Sequence, residues 1–285
     1  AALEQIDYPR ALDHFRAAAS LTNPGGDVMV WLDIQNDITY LYYLQGRYPE
    51  GLAQARSVWQ SAQQAGHNDA PSVLKAHMRY ASALDDNGQA DAAEPEYRAV
   101  IQMQERVLGA EHPDTLASRN NLALALRTQG KQSEAEQEYR AVLKIQERVL
   151  GSDHPSTLMS RNNLANALDD QGKQAEAERE HRVVLKLRER VLGAEHPDTL
   201  ASRNDLAAVL HTQGKQAEAA QEHRAVLASR VRVLGAEHPD VALSSYNLAV
   251  CLKAQKKLTE AMASMQRAEQ VWMKILGPDH PNTKL

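Results

Sequence analysis

The sequence of 285 residues is 43% hydrophobic but only 5% aromatic, and its formal net charge at pH 7 is −5. This composition excludes a disordered chain, and the acidic balance argues against nucleic acid as a partner, because phosphate neutralisation needs clustered Lys and Arg. No stretch approaches the ~20 consecutive apolar residues of a membrane helix, so we expect no membrane insertion. The abundance of Ala, Leu, Gln, Glu and Arg favours an all-α protein.

The number of cysteines and the first residues of the sequence lead to expectations about the cellular compartment and about further domains. The single cysteine, Cys251, excludes an intrachain disulfide and a cysteine-based metal cage. A chain without disulfides fits a reducing compartment, so we expect a cytoplasmic location. The chain has no signal-peptide pattern and does not begin with Met, and we expect it to be one region of a longer protein with further domains.

The first 60 residues differ from the rest in aromatic content. They hold eight of the 13 aromatic residues of the chain: Tyr8, Phe15, Trp31, Tyr40, Tyr42, Tyr43, Tyr48 and Trp59. Two interpretations stay open for this segment. It is either the ordinary core of a divergent terminal repeat or a docking surface, since aromatic side chains are favoured in interface hot spots.

An internal period of 42 residues organises the whole chain. A His-Pro pair recurs at this spacing, beginning at His112, His154, His196, His238 and His280, and residues 109–150 match residues 151–192 at 29 of 42 positions. Earlier copies are more divergent but keep the register. The period predicts one array over 1–285, with a partial repeat at 1–23, repeats at about 24–66, 67–109, 110–151, 152–193, 194–235 and 236–277, and the start of a further repeat at 278–285.

Each repeat has the pattern of two helices. In the repeat that starts at Pro113, a proline suits the first helical position, and apolar residues at helical spacing run to Leu126. Gly130 is a typical helix stop, and a second apolar stripe extends from Ala135 to Leu150. The two antiparallel helices of a repeat can bury both of their apolar stripes only when successive repeats stack on one another. The sequence therefore predicts a helical solenoid.

Recurring histidines and arginines suggest structural roles. The His-Pro histidines are expected to lie about 20 Å apart, from helix spacings of 8–10 Å, which is too far to share a metal ion. We interpret them as connectors. His181 and His223 replace Tyr97 and Tyr139 in the second helix, and packed, hydrogen-bonded imidazoles are expected there. The alternative for these two residues is a pH-sensing role.

Three arginines lie inside the apolar stripe of the first helix and need partners. Antiparallel alignment of the two helices predicts ion pairs that tie them together. The expected pairs are Arg119–Glu138, Arg161–Glu180 and Arg203–Glu222. In the sixth repeat, Ser245 and Ser264 replace both partners together, which supports the pairing.

Leu122-Ala123, Leu126, Gly130, Ala135 and Tyr139 resemble the small and large positions of a tetratricopeptide repeat (TPR). The 42-residue form, with Asn-Asn-Leu-Ala and Leu-Gly-x-x-His-Pro, resembles the kinesin light chain type and bacterial TPR arrays. This resemblance implies a right-handed superhelix of antiparallel helix pairs. It also implies a concave groove, lined by the first helices, in which peptides or partner helices bind.

The resemblance places a set of first-helix residues in this groove. They are Lys75, Arg79, Asn120, Asn121, Asn162, Asn163, Asn166, Asn204, Asp205, Tyr246 and Asn247. Asparagines in the family typically hold a peptide main chain, because an amide is both donor and acceptor. Asp33 and Asp37 beside Lys75 and Arg79 would give the groove mixed charge.

We therefore expect a non-catalytic scaffold that binds a protein or peptide in its concave groove. No enzyme motif occurs in the sequence, and no cofactor, catalytic residue or metal site is predicted. Two alternatives stay open. One is the ligand-sensing region of a larger bacterial signalling NTPase, and the other is a structural or self-assembly module.

Overall fold

A computed structural model describes residues 7–22 and 27–277, and in these ranges the chain forms thirteen α-helices and no strand. The predicted all-α fold is confirmed. The helices are α1 (Tyr8–Leu21), α2 (Val28–Leu44), α3 (Tyr48–Ala65), α4 (Pro71–Asp86), α5 (Ala90–Val107), α6 (Pro113–Thr128), α7 (Gln132–Val149), α8 (Pro155–Asp170), α9 (Gln174–Leu192), α10 (Pro197–Thr212), α11 (Gln216–Leu234), α12 (Pro239–Ala254) and α13 (Leu258–Leu276).

The chain divides into two compact units, an N-terminal unit of Ala1–Val149 with α1–α7 and a C-terminal unit of Leu150–Leu285 with α8–α13. Within the N-terminal unit each helix packs on the next, and the first helices α2 and α4 also pack on each other. Within the C-terminal unit each helix likewise packs on its successor. The expectation of one array over 1–285 stays a prediction, and the repeat start at 278–285 lies outside the described residues.

The apolar stripes form the core along most of their length. Leu122 and Leu126 of α6 are buried, as are Ala135 and Tyr139 of α7. Val149 was expected in the same stripe, but it is 46% exposed. The equivalent Val191 and Val233 are also exposed, so the last turn of these second helices lies outside the packed core.

The connector histidines cap the helices that follow them. The Nδ1 atoms of His112, His154, His196 and His238 each accept a hydrogen bond of 3.2 Å from the backbone N–H two residues later. Proline follows as the first helical residue, where its missing N–H leaves no donor unsatisfied. The structural interpretation of these four histidines is confirmed, and His280 lies outside the described residues.

Replacing a capping histidine should measure this contribution. We expect His196→Ala to lower the free energy of unfolding by about 1 kcal/mol, because the Asp198 N–H loses its side-chain acceptor. His196→Ser retains an acceptor and should keep most of the stability. Urea unfolding followed by circular dichroism measures both, and equal losses in the two variants would contradict a capping role.

The three predicted ion pairs between the two helices of a repeat are confirmed. Arg119 Nη2 lies 2.9 Å from Glu138 Oε2, and the equivalent Nη1–Oε2 distances are 2.5 Å for Arg161–Glu180 and 2.7 Å for Arg203–Glu222. All six side chains are largely shielded from solvent. Each pair therefore links two helices at a depth where an unpaired charge is costly.

The same two positions are also polar partners in the divergent repeats. His77 Nε2 lies 2.7 Å from Glu96 Oε2, and Gln54 Nε2 donates to Gln35 Oε1 at 2.5 Å. Both pairs occupy the 42-residue register of the Arg–Glu pairs. In the sixth repeat Ser245 is buried and donates to the Val241 carbonyl of its own helix instead. Cross-helix pairing thus extends further towards the N-terminus than the arginines alone predicted.

The two histidines of the second-helix core are both buried, as expected. His223 Nδ1 lies 3.2 Å from Asn204 Oδ1, whereas neither ring nitrogen of His181 has a hydrogen-bond partner among the described residues. The prediction of a hydrogen-bonded imidazole is therefore right for His223 and wrong for His181. Burial lowers the pKa of both rings, and for His223, with His211 nearby, it falls to about 4.

Candidate functional site

The first helices expose one recurring face, formed in α6 by residues 117, 121 and 124. These positions are spaced by four and three residues and so lie on one side of a helix. Ala117 and Leu124 are exposed and Asn121 is partly exposed. In the C-terminal unit, the equivalent positions of α8, α10 and α12 are likewise partly or fully exposed. We call this surface the first-helix face.

In the N-terminal unit, three of the predicted groove residues line one cavity. Lys75 and Arg79 of α4 and Asn121 of α6 border a space of about 590 Å³, together with Asp33 of α2. Lys75 Nζ lies 2.9 Å from Asp37 Oδ1. The predicted mixed charge of this region is therefore present, and the Lys75 ammonium is already paired.

Arg79 is engaged with an aromatic ring. Its guanidinium carbon lies 4.3 Å from the centroid of the Tyr40 ring, a cation–π geometry. Burial lowers the pKa of Arg79, while Tyr40, Asp37 and Asp86 act in the opposite direction. The guanidinium is thus held against α2 within its own unit.

In the C-terminal unit, four predicted groove residues belong to the first-helix face. Asn163 and Asn166 of α8, Asp205 of α10 and Asn247 of α12 are all partly exposed. Asn162 donates from Nδ2 to Asp205 Oδ2 at 3.1 Å, which links α8 with α10. This contact brings groove positions of two successive first helices together.

Four predicted groove residues lie beside the first-helix face and contact neighbouring helices or are buried, and their part in the groove stays a prediction. Asn120 is only 3% exposed, Asn204 contacts His223 in the second helix of its repeat, and the Tyr246 ring lies 5.9 Å from Trp272 in α13. Asn162, as described, faces the next first helix. Each precedes a face position by one residue, and one residue turns a helix by about 100°, towards the neighbouring helices.

A second pocket in the N-terminal unit was not foreseen from the sequence. We call it the tyrosine pocket; it has a volume of about 230 Å³. Its lining includes Tyr40, Tyr43, Tyr48, Arg79, Ser82, Asp85, Asp86, Tyr97, Asn121 and Leu124. It shares Arg79, Ser82 and Asn121 with the larger cavity, so the two lie next to each other.

The aromatic N-terminal segment contributes both buried and exposed rings, and its role as a docking surface stays a prediction. Tyr42 is buried, and Trp59 stacks on His77 with ring centroids 4.0 Å apart. In contrast, Tyr40, Tyr43 and Tyr48 are 40%, 46% and 41% exposed at the tyrosine pocket. The spacing of Tyr40 and Tyr43 by three residues on α2 was the available signal for a shared face.

Comparison with models of known protein families identifies a series of repeats along the chain. A family model described as tetratricopeptide repeat matches residues 81–114, 115–156, 157–198, 199–240 and 241–282, together more than two thirds of the chain. The chain belongs to the tetratricopeptide repeat family. Each of the last four TPR segments begins two residues inside a first helix and so corresponds to one helix pair.

Solved structures place the TPR chain among kinesin light chain-like repeat proteins. One shows the nearly identical TPR-like repeats of a kinesin light chain candidate from Podosopora anserina, with 32% identity, a TM-score of 0.66 and coverage of 72% of this chain and 97% of that one. BtubC (BKLC) from P. vanneervenii has 20% identity, a TM-score of 0.70 and coverage of 82% and 94%. The apo form of RapI has 15% identity, a TM-score of 0.66 and coverage of 95% and 94%.

The last two structures share less than 25% identity with this chain and support the TPR solenoid fold alone. Comparison with curated proteins gives no match. TPR repeats generally serve as scaffolds that bind protein partners. In the described part of the TPR chain, none of the helices combines the length and apolar character needed to cross a bilayer.

Proposed function

We propose that this TPR chain is a non-catalytic scaffold that binds a peptide or protein segment on its first-helix face. The observation that carries the proposal is the recurrence of partly exposed Asn121, Asn163 and Asn247 at one position of that face. An amide offers a donor and an acceptor, and an extended main chain presents both at each residue. Asparagines at this position suit a ligand backbone of any sequence.

The surroundings of these amides also suit a peptide. In the N-terminal unit, Asn121 opens onto two adjoining spaces that accept side chains, one of about 590 Å³ and one of about 230 Å³. In the C-terminal unit, Met159 and Leu243 are exposed beside the amides of α8 and α12. Main-chain contacts from Asn with apolar contacts beside them are the combination that holds an extended segment.

Amide removal tests the proposal. A random peptide library displayed on phage is selected against the whole chain, and affinities of the recovered peptides are measured by fluorescence anisotropy. We expect Asn121→Ala or Asn163→Ala to weaken binding about tenfold, because one or two main-chain hydrogen bonds are lost. Gln137→Ala removes an exposed amide from α7 and is the matched control.

The outcomes separate the proposal from its alternatives. Wild-type affinity in both asparagine variants, or an equal loss in Gln137→Ala, would move the binding site away from the first-helix face. A self-assembly module would instead show a mass that rises with concentration in light scattering, with no peptide recovered. Selective loss in the asparagine variants supports the scaffold.

A further inference from the structure

The tyrosine pocket combines aromatic faces with negative charge. The Tyr40 and Tyr43 rings stack with centroids 6.0 Å apart, and the Tyr48 ring lies 6.1 Å from Tyr43 at a tilt of 54°. Asn87 fixes this arrangement by donating to the Tyr48 carbonyl at 2.8 Å. Three exposed ring systems thus meet at the C-terminal end of α4.

In the part of the chain that the structure describes, neither carboxylate of the pocket forms an ion pair. No Lys or Arg in the described ranges forms an ion pair with Asp85 or Asp86, and Arg79 is placed over the Tyr40 ring. Two carboxylates and one guanidinium leave the pocket with a net negative charge. Burial and the neighbouring Asp85 raise the pKa of Asp86 to about 6, although Arg79 acts in the opposite direction.

We infer that the tyrosine pocket binds the cationic side chain of a lysine or arginine in the peptide ligand. The faces of Tyr43 and Tyr48 offer cation–π contacts, and Asp86 offers the opposite charge. An acidic side chain would meet Asp85 and Asp86 instead, and an apolar one would leave both carboxylates unsatisfied. The inference rests on the proposed function, because Asn121 at the rim would hold the main chain of the same ligand.

A small probe tests the pocket independently of any peptide. N-acetyl-lysine methylamide is titrated into the whole chain with 13C-labelled tyrosine and followed by NMR. The uncharged N-acetyl-norleucine methylamide, which has nearly the same side-chain length, is titrated in parallel. We expect the lysine probe to shift the Tyr43 and Tyr48 signals and to bind at least tenfold more tightly than the norleucine probe.

Variants and pH identify the groups responsible. Asp86→Asn should weaken the lysine probe about tenfold, while Asp170→Asn, two repeats later in the same register but outside the pocket, should leave its affinity unchanged. Because a protonated Asp86 no longer attracts a cation, affinity should also fall as the pH drops below 6. This fall should disappear in Asp86→Asn.

The outcomes distinguish failure of the inference from failure of the proposed function. Equal binding of the two probes, or an unchanged affinity in Asp86→Asn, overturns the cation site. Peptides selected from the library without an enriched Lys or Arg overturn it as well, but leave the scaffold function intact. If the library yields no peptide, the proposed function fails and so does the inferred role of the pocket in peptide binding.

Discussion

Lowering the pH from 7 to 4 should reduce the free energy of unfolding by about 3 kcal/mol through His223 alone. The pKa of this buried imidazole is about 4 in the folded chain, against an ordinary value of 6.5. A difference of this size between the folded and unfolded states corresponds to roughly 3 kcal/mol. Burial is the main cause, and His211 adds a smaller electrostatic contribution.

The sign follows from proton uptake. Above pH 6.5 the imidazole is neutral in both states, so His223 contributes no pH dependence. Between pH 6.5 and 4 the unfolded chain binds a proton that the folded chain does not, and stability falls as the pH falls. Below pH 4 both states are protonated and the loss is complete.

The neighbouring repeats supply the control variant. Tyr97 and Tyr139 occupy the His223 position in earlier repeats and are buried there, so His223→Tyr fits the same packing without a titratable imidazole. Stability is measured by urea unfolding at pH 7 and pH 4. The difference between wild type and variant is the decisive quantity, because acids such as Glu94, with a pKa lowered to about 2 by hydrogen bonds from Lys131 and Arg98, act in both proteins. Parallel pH profiles would contradict the assignment.

Features fixed by the period were predictable because they depend on local chemistry copied from repeat to repeat. The Pro113 start and Gly130 stop of α6 follow from backbone geometry alone. The Arg119–Glu138 pair followed from one further rule, the antiparallel alignment of neighbouring helices. In each case the residues involved lie within one repeat, so a single copy contains the information.

Features that depend on helix phase or on several repeats were not predictable in the same way. Asn120 and Asn121 are adjacent in sequence, yet one is buried and the other belongs to the first-helix face. Telling the two residues apart requires the rotation of α6 about its own axis, which the sequence does not give. The tyrosine pocket needs α2, α3, α4, α5 and α6 together, and its tyrosines come from divergent repeats in which the period carries little information.

The second large effect concerns the ion pairs within repeats. We expect Arg119→Ser to lower the free energy of unfolding by about 2 kcal/mol, because Glu138 keeps a largely shielded charge without its partner. The figure lies below the roughly 3–5 kcal/mol for breaking a fully buried pair, since both side chains retain some solvent contact. Equilibrium unfolding in urea at pH 7 measures it.

The sequence itself suggests how to compensate this loss. Ser245 and Ser264 stand at both positions in the sixth repeat, so the double variant Arg119→Ser/Glu138→Ser should be more stable than the sum of the single losses predicts. Arg119→His should also retain part of the stability, because His77 pairs with Glu96 at 2.7 Å in the same register. Additive single and double losses would mean that the pair contributes no coupling, and that Arg119 stabilises the repeat through the packing of its aliphatic stem alone.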